Sequence, residues 1–312
     1  MKKTCSVKVI SITPFTKTGD LDEQAYRLHL RRLADAGVTV WVAGSGTSEG
    51  YTLSAEERDR VLAISVEELK GKVPVHAMGC EPRLTSEMVD FLAAAERSGV
   101  DAAQIFSLQI GHTTKVTPRE MRLYYETALS ATDMPLYLSS HSASGYFIPI
   151  DMIEALADKY PNLAGVAYGG SDIQHFAELI GRLKDRMEVH CAGPANALTC
   201  LGLGGHGFMG GEGNFSPRMV QNVIDAWHAE DRGALRDAFA TLMAFASVYA
   251  RIGGGSAARG LKPLMNAYGL PGGELRLPRL PIEETELQQL IALVRRIPIP
   301  GVPEPQELAK TA

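Results

Sequence analysis

The sequence predicts a closed (βα)8 barrel of the TIM type, followed by an extension of three helices at the C-terminus. Eight short apolar runs, rich in β-branched residues, alternate with eight segments of helical periodicity up to about residue 230. Beyond that point only helical patterns follow, over 233–249, 257–268 and 283–296. Alternating strand and helix units of this number are typical of a closed parallel barrel. We therefore predict a barrel over residues 1–230 and a helical extension over 231–312.

Each barrel unit is predicted from a compact apolar run followed by a helix-start signal. The predicted strands cover residues 7–13, 38–43, 73–78, 101–106, 135–139, 163–168, 187–191 and 208–210. The helices that follow them begin near residues 21, 54, 86, 117, 149, 171, 194 and 217.

Several helix starts carry a capping signature. Asp20 with Glu23, Ser54 with Glu57, and Ser171 with Gln174 have the spacing at which a side chain accepts a hydrogen bond from the N–H group three residues on. Thr117 is followed by Pro118, and proline suits the first position of a helix. These signatures place the predicted helices between the strands.

Composition excludes several classes of function. The net charge is -5, and no basic run is longer than two arginines, so a nucleic-acid partner is not expected. No apolar stretch approaches the ~18 residues of a membrane span, and the N-terminus lacks a signal-peptide core, so we predict no membrane partner and a cytoplasmic location. The four cysteines lack Cys-x-x-Cys spacing, which indicates reduced thiols.

A glycine-rich loop follows the second predicted strand, from Gly44 to Gly50. Backbone N–H groups and the hydroxyls of Ser45, Thr47 and Ser48 are suited to a carboxylate or another small anion. We predict these three residues, with the adjacent Glu49, as a substrate-binding loop. The competing interpretation is a tight turn with no ligand.

Ordered motifs along nearly the whole chain resemble the dihydrodipicolinate synthase/N-acetylneuraminate lyase family. The resemblance rests on Thr13-Pro14-Phe15 with Gly19-Asp20, the loop from Gly44 to Glu49 with Thr52-Leu53-Ser54, Gly204-Gly205-His206-Gly207 followed by Asn214, Lys262-Pro263, and Arg276-Leu277-Pro278. It implies a lysine Schiff base with a 2-oxo acid, a carboxylate-binding loop, and assembly as a homodimer or homotetramer.

The chain departs from the family pattern where the chemistry is expected. The stretch from Asn162 to Asp172 matches the strand that carries the Schiff-base lysine, and Ala167 stands at the lysine position. Ser139 stands at the position of the family's proton-relaying tyrosine, and Leu108-Gln109-Ile110 replaces its Pro-Tyr-Tyr. Alanine and serine cannot form a ketimine, so the family reaction cannot be carried over unaltered.

Other residues are candidates for the missing chemistry. His141 follows the fifth strand, and we predict proton transfer by His141, Tyr168 or the hydroxyl of Ser139. His112 and Tyr146 lie on other loops expected at the same face of the barrel.

A relocated Schiff-base lysine and a histidine metal site are two further possibilities. Lys115 is the one lysine on a predicted loop of this face and therefore the candidate for a relocated Schiff base. His76, His190 and His206 lie in or beside strands without close carboxylates, so we predict no metal site.

Two hypotheses of function remain open. The first is a lyase or hydratase-like enzyme that acts on a small 2-oxo acid or other carboxylate without the usual Schiff base and without a cofactor. The second is an inactive paralogue or a binding protein for small carboxylates.

Overall fold

Eight parallel strands form a closed barrel in sequence order, with the last strand paired to the first. The computed structural model describes residues 5–111, 115–144, 146–252 and 257–306. The strands are β1 Ser6–Ile10, β2 Thr39–Val42, β3 Val75–Met78, β4 Ala102–Ile105, β5 Leu136–His141, β6 Leu163–Gly169, β7 Glu188–Ala192 and β8 Gly207–Gly210. The predicted (βα)8 barrel is confirmed.

A helix follows each strand, and three more helices follow the barrel. They are α1 Glu23–Asp35, α2 Ala55–Leu69, α3 Thr85–Ser98, α4 Pro118–Leu129, α5 Ile150–Lys159, α6 Ile173–Leu183, α7 Ala197–Gly202, α8 Pro217–His228, α9 Arg232–Ile252, α10 Ala257–Ala267 and α11 Glu284–Val294. The boundary at residue 230 between barrel and extension stays a prediction. None of the helices in the described ranges is both long and apolar enough to cross a bilayer.

The capping signatures are confirmed at two helices and displaced at two others. Ser54 and Thr117 each accept a hydrogen bond from the N–H group three residues on, as predicted. Helix α1 is capped by Asp22 instead of Asp20, whose carboxylate accepts a bond from the Thr18 hydroxyl. Helix α6 is capped by Asp172, one residue beyond the predicted Ser171, and a carboxylate also interacts favourably with the helix dipole.

The lower layer of the barrel interior contains a buried ion pair and a tyrosine bonded to it. Lys8 on β1 donates to Oε2 of Glu188 on β7 at 2.8 Å, and the Tyr137 hydroxyl donates to the same oxygen at 2.9 Å. The Lys8 ammonium lies 3.8 Å from the centroid of the Tyr137 ring. Burial lowers the pKa of Lys8 to about 8 in spite of the carboxylate. These three residues form the floor beneath the upper half of the barrel.

A second buried ion pair connects the extension to the glycine-rich loop. Lys262 on α10 and Glu49 form a salt bridge with side chains 0% and 1% exposed, and Lys262 also donates to the carbonyl oxygens of Thr13 at 2.7 Å and Glu274 at 2.9 Å. The Lys262 ammonium lies 4.6 Å from the centroid of the Phe15 ring. Because its hydrogen bonds go to protein groups, this cation can be buried beside the loop.

Replacing Lys262 by methionine removes the cation and leaves the Glu49 carboxylate buried without an opposite charge, with only the N–H of Arg276, among the described residues, as a hydrogen-bond donor at 3.4 Å. We expect Lys262→Met to lower the free energy of unfolding by about 3–5 kcal/mol, as measured by urea denaturation. Adding Glu49→Gln should restore part of this loss, because the remaining side chain is then uncharged.

The matched control is Lys159→Met, which removes an exposed ion pair with Glu126. Its cost should be at most about 1 kcal/mol. An equal effect of both lysine substitutions would contradict a structural role for the buried pair.

Candidate functional site

A cavity of about 240 Å³ lies at the C-terminal ends of the barrel strands, where barrel enzymes carry their active sites. It is lined by Ile10, Ser45, Gly46, Thr47, Met78, Glu81, Gln104, Phe106, Ser139, His141, Ala143, Ala167, Ala192 and Met209. A larger groove of about 510 Å³ lies between α8 and α9, away from every strand end. The smaller cavity is the candidate site because side chains from several strands converge on it.

The lining of this cavity contains no lysine within the described part of the chain. Ala167 lies at the cavity wall, next to Ser139 on the neighbouring strand in the β-sheet register. Lys115 is exposed and does not line the cavity. At the position where the sequence resemblance predicts the lost lysine, the Ala167 methyl group therefore lines the cavity.

Among the described residues, His141 is the one histidine that lines the cavity. Its Nδ1 accepts a hydrogen bond from the N–H of Ala143 at 3.0 Å, so the neutral ring carries its proton on Nε2. The ring lies over Gly169, where a Cβ atom would collide with Cδ2 of the imidazole. Burial lowers the pKa of His141 below its ordinary value of 6.5, and the charge of Glu81 partly offsets the shift.

Glu81 is a cavity residue that the sequence reasoning missed. It follows β3 by three residues and lines the cavity together with His141. The available signal was its place just beyond the end of a barrel strand, where catalytic groups gather. The site thus combines an imidazole N–H group with a carboxylate, which can receive a proton when ionised.

The glycine-rich loop contributes two of its four predicted residues to the cavity. Ser45 and Thr47 line it. The Ser48 hydroxyl instead donates to the carbonyl oxygen of Ser11 at 2.6 Å, and the Glu49 carboxylate is paired with Lys262. The side chains of Ser48 and Glu49 therefore hold the loop in place, and their binding roles stay predictions.

Tyr168, another residue predicted to transfer protons, lies on the opposite face of β6 from Ala167. Successive side chains of a strand point to opposite faces, and Ala167 faces the cavity. The Tyr168 ring is 0% exposed and stacks between Phe147 and Phe176, with its hydroxyl donating to the carbonyl oxygen of Asp172. Its phenol cannot reach a ligand in the cavity from this position.

The remaining candidates lie elsewhere. The Tyr146 hydroxyl accepts a hydrogen bond from the N–H of Leu108 at 2.9 Å, and Tyr146 does not line the cavity. His112 lies outside the described residues. In the described ranges, no three His, Cys, Asp or Glu side chains come together in a group able to hold a metal ion.

Comparison with known proteins agrees with this architecture. The model of the dihydrodipicolinate synthetase family matches residues 4–297. A 4-hydroxy-tetrahydrodipicolinate synthase of Methanosarcina barkeri is 27% identical over 289 residues, covering 92% of this chain and 96% of the relative. A relative named "Probable 5-dehydro-4-deoxyglucarate dehydratase" from Saccharopolyspora erythraea is 28% identical over 297 residues, covering 93% of each chain.

Solved structures share the fold at lower sequence identity. A prophage protein of the dihydrodipicolinic acid synthase family from E. coli K12, in complex with pyruvate, has a TM-score of 0.87 and 23% identity, covering 95% of this chain and 99% of its own. An N-acetylneuraminate lyase from Mycoplasma synoviae has a TM-score of 0.80 and 22% identity, covering 95% of this chain and 98% of its own. With the family match over nearly its whole length, the chain belongs to the dihydrodipicolinate synthetase family.

Proposed function

We propose that the protein is a lyase or hydratase-like enzyme that acts on a small 2-oxo acid or other carboxylate without the usual lysine Schiff base. The observation that carries the proposal is the lining of the cavity. It brings His141, Glu81 and the Ser139 hydroxyl together with the Ser45 and Thr47 loop. Relatives that are named as a synthase and a dehydratase support a reaction of the lyase class.

The chemistry follows from the donors and acceptors in the cavity. Ser45 and Thr47 bind the carboxylate of the substrate. The Nε2–H group of neutral His141 donates to a substrate oxygen on which negative charge develops, and the Glu81 carboxylate receives the proton that leaves carbon. The C–H bond breaks, and its electron pair moves toward the oxygen that His141 holds. The pair then returns to expel a β-hydroxyl group, which leaves as water with the proton that Glu81 had accepted, so the carboxylate is regenerated.

A binding protein without turnover is the second candidate. It is favoured by one observation, that neither lysine nor tyrosine is among the described residues that line the cavity. Thermal shifts with pyruvate, 2-oxobutyrate and 2-oxoglutarate test for the carboxylate site, because a ligand that binds the folded state stabilises it. NMR detection of product then separates the enzyme from the binder. No shift with any acid would contradict both candidates.

The pH dependence of turnover tests the role of His141. The neutral ring is the active form, and its pKa lies below 6.5, so kcat/KM on the acid that gives product should stay high until the pH falls below 6.5. His141→Ala should lower kcat/KM by about 10²–10³-fold and remove this acid limb. The control His228→Ala removes an exposed histidine and should leave the profile unchanged. An acid limb that persists in His141→Ala would assign the titration to another group.

Borohydride trapping tests the absence of a Schiff base. Incubation of the natural protein with pyruvate and borohydride should leave its intact mass unchanged. Ala167→Lys should form a reduced pyruvate adduct, because burial among apolar neighbours lowers the pKa of the new amine. Aldol turnover should not follow, since Ser139 supplies no phenol. An adduct on the natural protein that maps to Lys115 would support the relocated-lysine alternative instead.

We also propose that the protein is a homodimer or homotetramer, as the family resemblance implies. Two large apolar side chains on neighbouring elements support this, since Leu84 before α3 and Leu123 on α4 are 61% and 66% exposed. Light scattering at micromolar concentration should give at least a dimer, and Leu123→Asp should lower the mass. Leu28→Asp, at an exposed position on α1, is the control. A monomeric natural protein would contradict the proposal.

The cytoplasmic location stays a prediction.

A further inference from the structure

Gln104 places a neutral amide in the wall of the candidate cavity. Gln104 lies on β4, two residues before Phe106 in the sequence, and is 1% exposed. Its side-chain oxygen Oε1 is buried and has no hydrogen-bond partner among the described residues. Buried amide oxygens are nearly always hydrogen-bonded, since leaving one unpaired is costly. The amide therefore indicates a partner outside the described part of the chain.

Two hydrogen-bond donors below Gln104 already donate to another residue. Tyr137 is its neighbour in the β-sheet register, but the Tyr137 hydroxyl donates to Glu188. The Lys8 ammonium donates to the same Glu188 oxygen. Lys8 and Tyr137 are thus both bound to one carboxylate oxygen, and the Gln104 amide lines the cavity above them.

The surroundings of Gln104 decide which ligand group fits. The apolar strand residues that line the cavity are Ile10, Met78, Ala167, Ala192 and Met209, and Ser139 is a second neutral polar group. A carboxylate against this wall would have no cation in the described lining to pair with, which is strongly unfavourable, and an ammonium group would pair with the Glu81 carboxylate in preference to the neutral amide. A carbonyl oxygen could only accept hydrogen bonds. A hydroxyl both donates and accepts, so it suits the amide oxygen and, equally, the amide N–H groups.

We propose that Gln104 is a specificity-determining residue that binds a hydroxyl of the substrate. The ligand is then a small hydroxylated carboxylate, with its carboxylate at the Ser45 and Thr47 loop and a hydroxyl beside Ala167. The space that a lysine side chain would fill becomes the site for this hydroxyl. The inference rests on the proposed function, because both use the same cavity.

Pairs of acids that differ by one hydroxyl test the inference. The pairs are 3-hydroxypropionate with propionate, lactate with propionate, and 4-hydroxybutyrate with butyrate, with affinities measured by ligand-observed NMR titration. For at least one pair, the natural protein should bind the hydroxy acid at least about tenfold more tightly, because the analogue leaves the amide unpaired. Gln104→Met, which keeps the size of the side chain, should reduce this ratio to about twofold or less.

Two controls separate specificity from damage to the fold. Gln289→Met, at an exposed position on α11, should keep the full preference for the hydroxy acid. The unliganded Gln104→Met protein should melt at the same temperature as the natural protein or higher, because an unpaired buried amide is replaced by an apolar side chain. A marked fall in melting temperature would mean that Gln104 has a structural partner, and it would overturn the inference.

The outcomes distinguish the two proposals. If the acids bind but no pair shows a preference, or if Gln104→Met keeps the preference, the hydroxyl site is refuted and the carboxylate site stands. If hydroxylated and plain acids all fail to bind, the proposed function falls together with the inference. Loss of the preference in Gln104→Met alone, with both controls unchanged, supports the hydroxyl site.

Discussion

The alternation of side chains along the barrel strands is the constraint on which the site depends. In β5, Ser139 and His141 face the cavity, and in β6 Ala167 does so, while Tyr168 faces the helices. Closure of the barrel fixes which residues point inward, because shifting the pairing register of a strand by one residue would turn each of its side chains to the other face. The composition of the cavity is therefore set by which residues occupy the inward positions of the strands, together with the loops that follow them.

Buried charges above and below the cavity are paired within the protein. Burial lowers the pKa values of Lys8 and Lys262 to about 8, yet each amine is bound to a carboxylate, Glu188 in the lower layer and Glu49 at the loop. Separating either pair would leave an uncompensated charge in the interior. Neither amine is therefore free to form a Schiff base in the cavity. The same pairs hold the polar floor and the glycine-rich loop in fixed positions around the cavity.

The fold could be predicted from local patterns, whereas the site required three-dimensional information. Apolar runs and capping signatures specify strands and helices locally, and the (βα)8 order follows from their number. The hydrogen bond from the Ser48 hydroxyl to Ser11 and the ion pair of Glu49 with Lys262 could not be predicted from local sequence, because these partners are distant in the chain. Tyr168 could have been excluded from the sequence by applying the period of two to the strand that contains Ala167. For Gln104, only the structure shows that the neighbouring donors Lys8 and Tyr137 are hydrogen-bonded to Glu188.

Strand β6 presents an inward face with almost no side chain, and this absence determines where the polar chemistry lies. Its inward residues are Gly165, Ala167 and Gly169, and a Cβ atom at either glycine would collide with a ring from β5, Tyr137 below and His141 above. The rings of β5 thus occupy space that larger residues on β6 would fill. The polar groups of this part of the wall are therefore on β5, and Ala167 lies between the two rings. A ligand group beside Ala167 would have the rings of β5 above and below it, with Gln104 two strands away on β4.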